Sequence, residues 1–265
     1  MSVNILFIGD IVGKPGRKAI REILPSLKDR FPIDLVVANG ENASGGIGIS
    51  VKSADELLTS GIQVLTSGNH IWKKKEILTY IEQNPDLIRP ANFPPETPGN
   101  GFVIKETKSG CRIGILNLMG RTFMEAVDCP FKKSIEAIKR LTEETSVILV
   151  DFHAEATSEK MALGWYLDGK VSAVLGTHTH VQTSDERIFP QGTAYITDVG
   201  MTGPMESVIG VKKELAVERF LTQMPYKFEV ATREIVLEGV LLSIDPVSGK
   251  SLNISRIRER LSTEG

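Results

Sequence analysis

The feature that most constrains this chain is a repeated alternation of short apolar runs with stretches of helical spacing. The runs are Ile5 to Ile8, Leu35 to Ala38, Gln63 to Leu65, Ile113 to Leu116, Val147 to Val150 and Ala173 to Leu175. Each is bounded by glycine or polar residues and is too short for a helix, so each reads as a buried strand. Between them, Arg17 to Arg30, Ser53 to Thr59, Lys74 to Glu82, Lys132 to Glu143 and Ser158 to Leu167 carry apolar residues three and four apart, the spacing of one helix face. Such a series folds as βαβ units around a largely parallel sheet. After about residue 190 the texture changes. Thr193 to Thr197, Lys227 to Ala231, Glu234 to Ile244 and Leu252 to Ile257 read as strands, several joined by turn signals such as Asp245-Pro246 and Ser248-Gly249, and predict an antiparallel sheet. Two packed sheets with helices outside make a four-layer α/β sandwich. Arg89 to Gly101, rich in Pro, Asn and Gly, reads as a loop. No linker, repeat or low-complexity tract divides the chain, so residues 1–265 are expected to form one domain.

Charge narrows the partners. Thirty-one Lys and Arg stand against 33 Asp and Glu, a formal net charge of −2, which leaves no basic footprint for duplex nucleic acid or a membrane surface. Cys111 and Cys129 are too few for a disulfide framework and fit no zinc spacing, which points to a reducing cytoplasm. The N-terminal apolar run stops at Asp10, far short of a signal or membrane-spanning segment.

The chemistry lies at the ends of the runs: Gly9-Asp10, Asn39-Gly40-Glu41-Asn42, Ser67-Gly68-Asn69-His70, Asp151-Phe152-His153 and Gly176-Thr177-His178-Thr179-His180. In open α/β sheets the loops at the carboxyl ends of parallel strands meet at one crevice, so these five ends are expected to share a site. The chain has four histidines, His70, His153, His178 and His180, and every one lies just past an apolar run. A single histidine there is more often a hydrogen-bonded loop residue; all four together reverse that weighting. In an extended segment His178 and His180, two residues apart, point to one side and serve one metal ion or two adjacent ions. Asp10, Glu41, Asn42 and Asn69 add oxygen donors, although each alone also fits a turn or helix cap. A mixed imidazole and oxygen set without thiolate suits Mn, Fe or Zn, and holds more donors than one ion needs.

Other features are weaker. Gly9, Gly13 and Gly16 precede a helix, but their spacing departs from the G-x-G-x-x-G of pyrophosphate-binding loops. Lys73-Lys74-Lys75 reads as a solvated helix start. Arg121 fits either a phosphate contact or a surface salt bridge. Trp165 and Tyr166 read as core packing, and Gly45-Gly46-Ile47-Gly48 as a segment able to move over the site.

Taken in order, Gly9-Asp10, Gly40-Glu41-Asn42, Gly68-Asn69-His70, His153 and Gly176-Thr-His178-Thr-His180 resemble the motifs of calcineurin-like metallophosphoesterases. With Asn117 to Phe123 and Asp198 to Pro204, the whole chain resembles the bacterial YmdB-like branch, whose members are similar to 2′,3′-cyclic-nucleotide phosphodiesterases. Two departures from the wider superfamily stand out: Asp10-Ile-Val12 replaces its Asp-x-His motif, and Glu41 replaces its bridging aspartate. The resemblance implies a four-layer αββα sandwich of two mixed β-sheets and two metal ions, Fe or Mn ahead of Zn. It places Asp10, Glu41, Asn42 and His180 at the first ion, with Glu41 bridging to a second held by Asn69, His153 and His178.

His70 follows Asn69 directly, and the ordinary imidazole pKa near 6.5 suits proton transfer, so His70 is the expected general acid. The expected activity is hydrolysis of a small phosphodiester, 2′,3′-cyclic ahead of 3′,5′-cyclic nucleotides, with RNA ends and a homo-oligomer left open. The alternatives are another metal-assisted hydrolase, or a metal- or nucleotide-dependent regulator with slow turnover.

Overall fold

A computed structural model describes residues 2–262. The chain begins β1 (Val3–Ile8), β2 (Asp10–Ile11), α1 (Gly13–Arg30), β3 (Leu35–Asn39), α2 (Val51–Thr59), β4 (Val64–Thr66), a short 3₁₀ turn and α3 (Ile77–Gln83). The middle carries β5 (Phe102–Glu106), β6 (Arg112–Met119), α4 (Pro130–Leu141), β7 (Val147–His153), α5 (Thr157–Leu167) and β8 (Ala173–Thr177). The last third holds β9 (Arg187–Ile188), β10 (Ala194–Ile196), β11 (Met201–Pro204), α6 (Lys213–Thr222), β12 (Ile235–Ile244) and β13 (Ser251–Arg260).

These strands form two sheets. The first runs β2-β11-β12-β1-β3-β4, with β13 also paired to β12, and the second runs β5-β6-β7-β8-β10-β9. Side chains alternate across the strands with period two. Ile5, Phe7, Val37 and Val64 of the first sheet therefore meet Ile113, Ile115, Leu149 and Leu175 of the second in a shared core. Leu6, Ile8 and Val36 face outward onto Ile20, Leu24 and Leu27 of α1 and Leu57 of α2. On the far side, Leu116, Ile148 and Val150 pack on Leu141 of α4 and on Leu163 and Leu167 of α5. The result is the expected four-layer sandwich of two mixed sheets.

The last third departs from expectation. Thr193 to Thr197 supplies β10, but this strand pairs in parallel with β8 and belongs to the second sheet. β12 inserts antiparallel beside β1 in the first sheet, so the late strands complete both sheets instead of building one antiparallel sheet. Lys227 to Ala231 is not a strand. Among the described residues its sheet-like contact is an isolated bridge between Val211 and Val230, because it bonds to the loop that follows β11 at Gly210 and Lys212. Among the described residues no helix is long and apolar enough to cross a membrane.

Because β1, β3 and β4 run in parallel, as do β6, β7 and β8, their carboxyl ends open on one edge of the sandwich. Bonds across the sheets tie that edge together: Asn39 Nδ2 donates to Asp151 Oδ2 (3.0 Å) and the Ser67 amide to Asn117 Oδ1 (3.0 Å).

Candidate metal centre

Glu41 stands at the middle of this edge and is fully buried. Its Oε1 accepts from Asn42 Nδ2 at 2.8 Å and lies 3.1 Å from His70 Nδ1. Its Oε2 accepts from the His70 amide at 3.1 Å and lies 3.2 Å from His153 Nε2. The approach depends on Gly68, where a Cβ would stand 2.2 Å from His153 Cδ2 and 2.4 Å from Glu41 Oε2.

On one side of Glu41, His153 Nε2 is 3.1 Å from Asn69 Oδ1 and 3.0 Å from His178 Nδ1. On the other, His180 Nε2 lies 3.3 Å from Asn42 Nδ2 and 3.7 Å from Asp10 Oδ1. Asp10 Oδ2 accepts from the His178 amide at 3.0 Å. All seven candidate ligands, Asp10, Glu41, Asn42, Asn69, His153, His178 and His180, thus converge, with His70 against Glu41 and Asn42. The Asn42 amide turns its nitrogen to Glu41 and His180 and its oxygen to His70 Nδ1 (2.9 Å).

The route by which His178 and His180 separate differs from the expected extended segment. Both have positive φ, 94° and 62°, so the chain turns sharply at each, and the rings face different neighbours. Non-glycine residues rarely adopt this region, and the strain implies that surrounding bonds hold the turn.

Electrostatics point the same way. Burial pushes the Asp10 carboxyl above its ordinary value, and burial lifts Asp151 to about 7. Burial opposes a charge on His153, yet Glu41, Asp10 and Asp151 outweigh it and raise the imidazole to about 9. Burial, with His153 alongside, lowers His178 to about 3. Glu41 is held well below the carboxylate range: burial works against its charge, and His153 and His70 overcome it. Of the buried carboxylates, Glu41 is thus held charged by the imidazoles beside it, whereas burial outweighs them at Asp10.

A cation fits this arrangement. Asp10 Oδ1 is a buried carboxylate oxygen with no hydrogen-bond partner, a costly state unless something cationic meets it. Donor atoms of Glu41, His153 and His178 all lie within 4.8 Å of one another. Imidazole and oxygen donors without thiolate match the expected class of ion.

A supporting layer escaped the sequence reading. His153 Nδ1 lies 3.0 Å from Thr177 Oγ1, which donates to Asp151 Oδ1 at 2.7 Å, a chain that fixes the imidazole's orientation. The one available signal was Asp151, a charge closing an otherwise apolar run. Lys160 and Asp198, both buried, were missed as well.

The weaker motifs have structural roles. Gly9 and Gly16 make room for other chain segments, since their Cβ atoms would lie 2.1 Å from Gly200 O and 2.4 Å from Thr202 O. Gly45 to Gly48 forms a turn closed by the Ser44 amide on Gly48 O (2.9 Å). The Arg121 guanidinium reaches Cys129 Sγ at 3.5 Å, while its amide donates to Glu159. Trp165 and Tyr166 are half exposed and not core residues; Gly164 and Leu163 take the inward face, and Trp165 stacks on Phe189 at 4.1 Å.

Two face-to-face mixed sheets, with metal-type donors at the strand ends, define a metallophosphoesterase-type hydrolase. The sequence model of YmdB-like proteins matches residues 6–257, and the chain belongs to that family. It is 49% identical to the 2′,3′-cyclic-nucleotide 2′-phosphodiesterase of Bacillus subtilis over 96% of each chain. A crystal structure described as a novel phosphatase from Mycoplasma pneumoniae is 38% identical with a TM-score of 0.92, covering 98% of this chain and 94% of that one. A hypothetical protein from Thermus thermophilus is 42% identical with a TM-score of 0.91, covering 97% of this chain and 99% of its own.

Proposed function

We propose that the chain is a metal-dependent phosphodiesterase that opens 2′,3′-cyclic nucleotides, with two ions at its site and His70 as the proton donor. The observation that carries this reading is the buried Asp10 Oδ1, unpartnered among imidazoles and carboxylates at the meeting point of five strand ends. Asp10, Asn42 and His180 would hold one ion and Asn69, His153 and His178 the other, with Glu41 shared. When bound, such ions stabilise charge on phosphoryl oxygens and lower the pKa of water.

The chain's own residues do the rest. Glu41, fixed by Asn42, His70 and His153, keeps its two oxygens turned to opposite halves of the site. His70 is pinned through Nδ1, and its side chain keeps 25% exposure, so Nε2 is free to carry a proton. Water adds through its oxygen to phosphorus and releases one proton to solvent, the P–O2′ bond breaks, and the proton on Nε2 passes to the departing 2′ oxygen, leaving a 3′-monoester and a free 2′-hydroxyl. The 49% identity to an enzyme named for cleavage at the 2′ position supports this choice of bond.

The test is hydrolysis of a phosphodiester and its matching monoester by protein reconstituted with Mn, Fe or Zn, beside Glu41→Gln. Diester-selective turnover at least tenfold lower in the variant is expected. Metal bound without turnover on any diester would reject the enzymatic reading and favour a regulator. A panel of 2′,3′-cyclic and 3′,5′-cyclic nucleotides and RNA ends then sets the substrate.

A further inference from the structure

The turn that carries His178 and His180 is held by a pair of residues outside the donor set. Thr179, between the two histidines, gives Asp198 Oδ2 both its amide (3.1 Å) and its hydroxyl (2.6 Å). The same oxygen accepts from Lys160 Nζ at 2.9 Å, and Nζ also reaches Thr179 Oγ1 at 3.1 Å. Asp198 Oδ1 accepts from the Gly200 amide at 2.8 Å, and the backbone of Asp198 is tied to Thr183 in both directions. Asp198 therefore grips the turn at Thr179 and again at Thr183. Lys160 is 1% exposed and Asp198 fully buried, so the pair sits in the low-dielectric interior. Space for it is built in: a Cβ on Gly176 would lie 3.0 Å from Lys160 Cδ and 1.8 Å from Thr197 O.

A buried ion pair is a poor device for stability alone, because desolvation offsets its attraction and apolar replacements are often neutral. Here it bonds to the one residue between two strained histidines, where φ of 94° and 62° would otherwise relax. We propose that Lys160 and Asp198 are positioning residues, which act through Thr179 to hold the strained turn so that His178 faces His153 and His180 faces Asp10. This rests on reading those two histidines as metal ligands. Neither Lys160 nor Asp198 bonds to a donor atom; they hold the turn through its backbone, beside a weaker charge effect of Asp198 on Asp10 and of Lys160 on His178.

The test uses the full chain, Mn²⁺ alone as probe, and two lines of variants. The double variant Lys160→Met with Asp198→Leu removes both charges together, so neither is left buried alone, but it takes the acceptor from the Thr179 and Gly200 amides and is expected to fold with a lowered Tm. Its amides over 177–183 should exchange with solvent at least tenfold faster than those of wild type, and its Mn²⁺ affinity should fall at least tenfold. Wild-type exchange and affinity in that variant would overturn the proposal. Should it fail to fold, Thr179→Val decides: it keeps shape and both charges but loses the hydroxyl. Affinity should fall about tenfold in Thr179→Val and return in Thr179→Ser, a rescue that a general loss of packing would not give. Equal affinity in all three would overturn the assignment. If wild type itself binds no Mn²⁺, the metal reading fails, and faster exchange in Thr179→Val reversed by Thr179→Ser still decides whether the turn is held as described.

Discussion

His70 is bound to the protein along one edge of its ring. Nδ1 meets Asn42 Oδ1 at 2.9 Å and Glu41 Oε1 at 3.1 Å, and among the described residues nothing bonds Nε2. A group held in this way is suited to delivering a proton. His70→Ala is expected to fold and keep its metal content while kcat falls roughly 10²-fold or more on a substrate with a poor leaving group. A nitrophenyl ester, which needs little proton assistance, should lose much less. An unchanged rate on the poor leaving group would remove the role, and lost metal would recast His70 as a brace for Glu41 and Asn42. His70 and the other three histidines were legible because histidine is scarce in this chain and confined to strand ends. Lys160 and Asp198 were not: a lysine in an amphipathic helix looks solvated, and only the three-dimensional course of α5 past Gly176 buries it.

At the scale of single elements, the loops are fixed by close approach and by carboxylate caps. The loop after β4 passes so near His153 and Glu41 that position 68 has no room for a Cβ. Gly68→Ala should therefore lower metal content and turnover at least tenfold, with a folded far-UV spectrum; wild-type metal binding would mean that the loop yields without disturbing the donors. Between β8 and β10, Asp185 accepts from Thr183 Oγ1 (2.6 Å) and the Thr197 amide (3.1 Å). Burial opposes its charge, but these bonds prevail and hold its carboxyl below the ordinary value. A carboxyl depressed on folding contributes stability that is present above its unfolded pKa near 3.9 and lost as pH falls through the folded value. Asp185→Asn should thus lower Tm by about 2–4 °C at pH 7, and the gap from wild type should close in acid below pH ~4. A gap that stays the same width through all the acid pH at which wild type remains folded would assign the loss to shape. The early strands were readable because each is a continuous apolar run. β2 and β11 were not, being two and four residues long and defined by their pairing, β2 on β11 and β11 on β12. Lys227 to Ala231 alternates as a strand should, yet its partner is the loop at 210–212 and not a sheet strand.

Across the whole molecule, the two sheets meet through apolar side chains over most of their area and through a polar seam at the site edge. Asp10, Glu41, Asp151, His153 and Asp198 are all fully buried in that seam. Such a concentration of buried charge is costly without compensation, and a cation between Asp10 and Glu41 would supply it. On the proposed reading, metal removal is expected to weaken the entire sandwich, because an ion there would tie candidate ligands from β2 and the β3 and β4 loops of one sheet to those from β7 and the β8 loop of the other. With free ion at a hundredfold its Kd, binding adds about 2.7 kcal/mol to folding, which at this chain length corresponds to a Tm lower by roughly 5–10 °C after chelation. Calorimetry with and without chelator measures it, and readdition of Mn²⁺ should restore the wild-type value. Glu41→Gln, which removes the charge that the proposal shares between two ions, should show little response to chelator. An equal response in wild type and variant would mean that the ion that stabilises the fold is bound elsewhere.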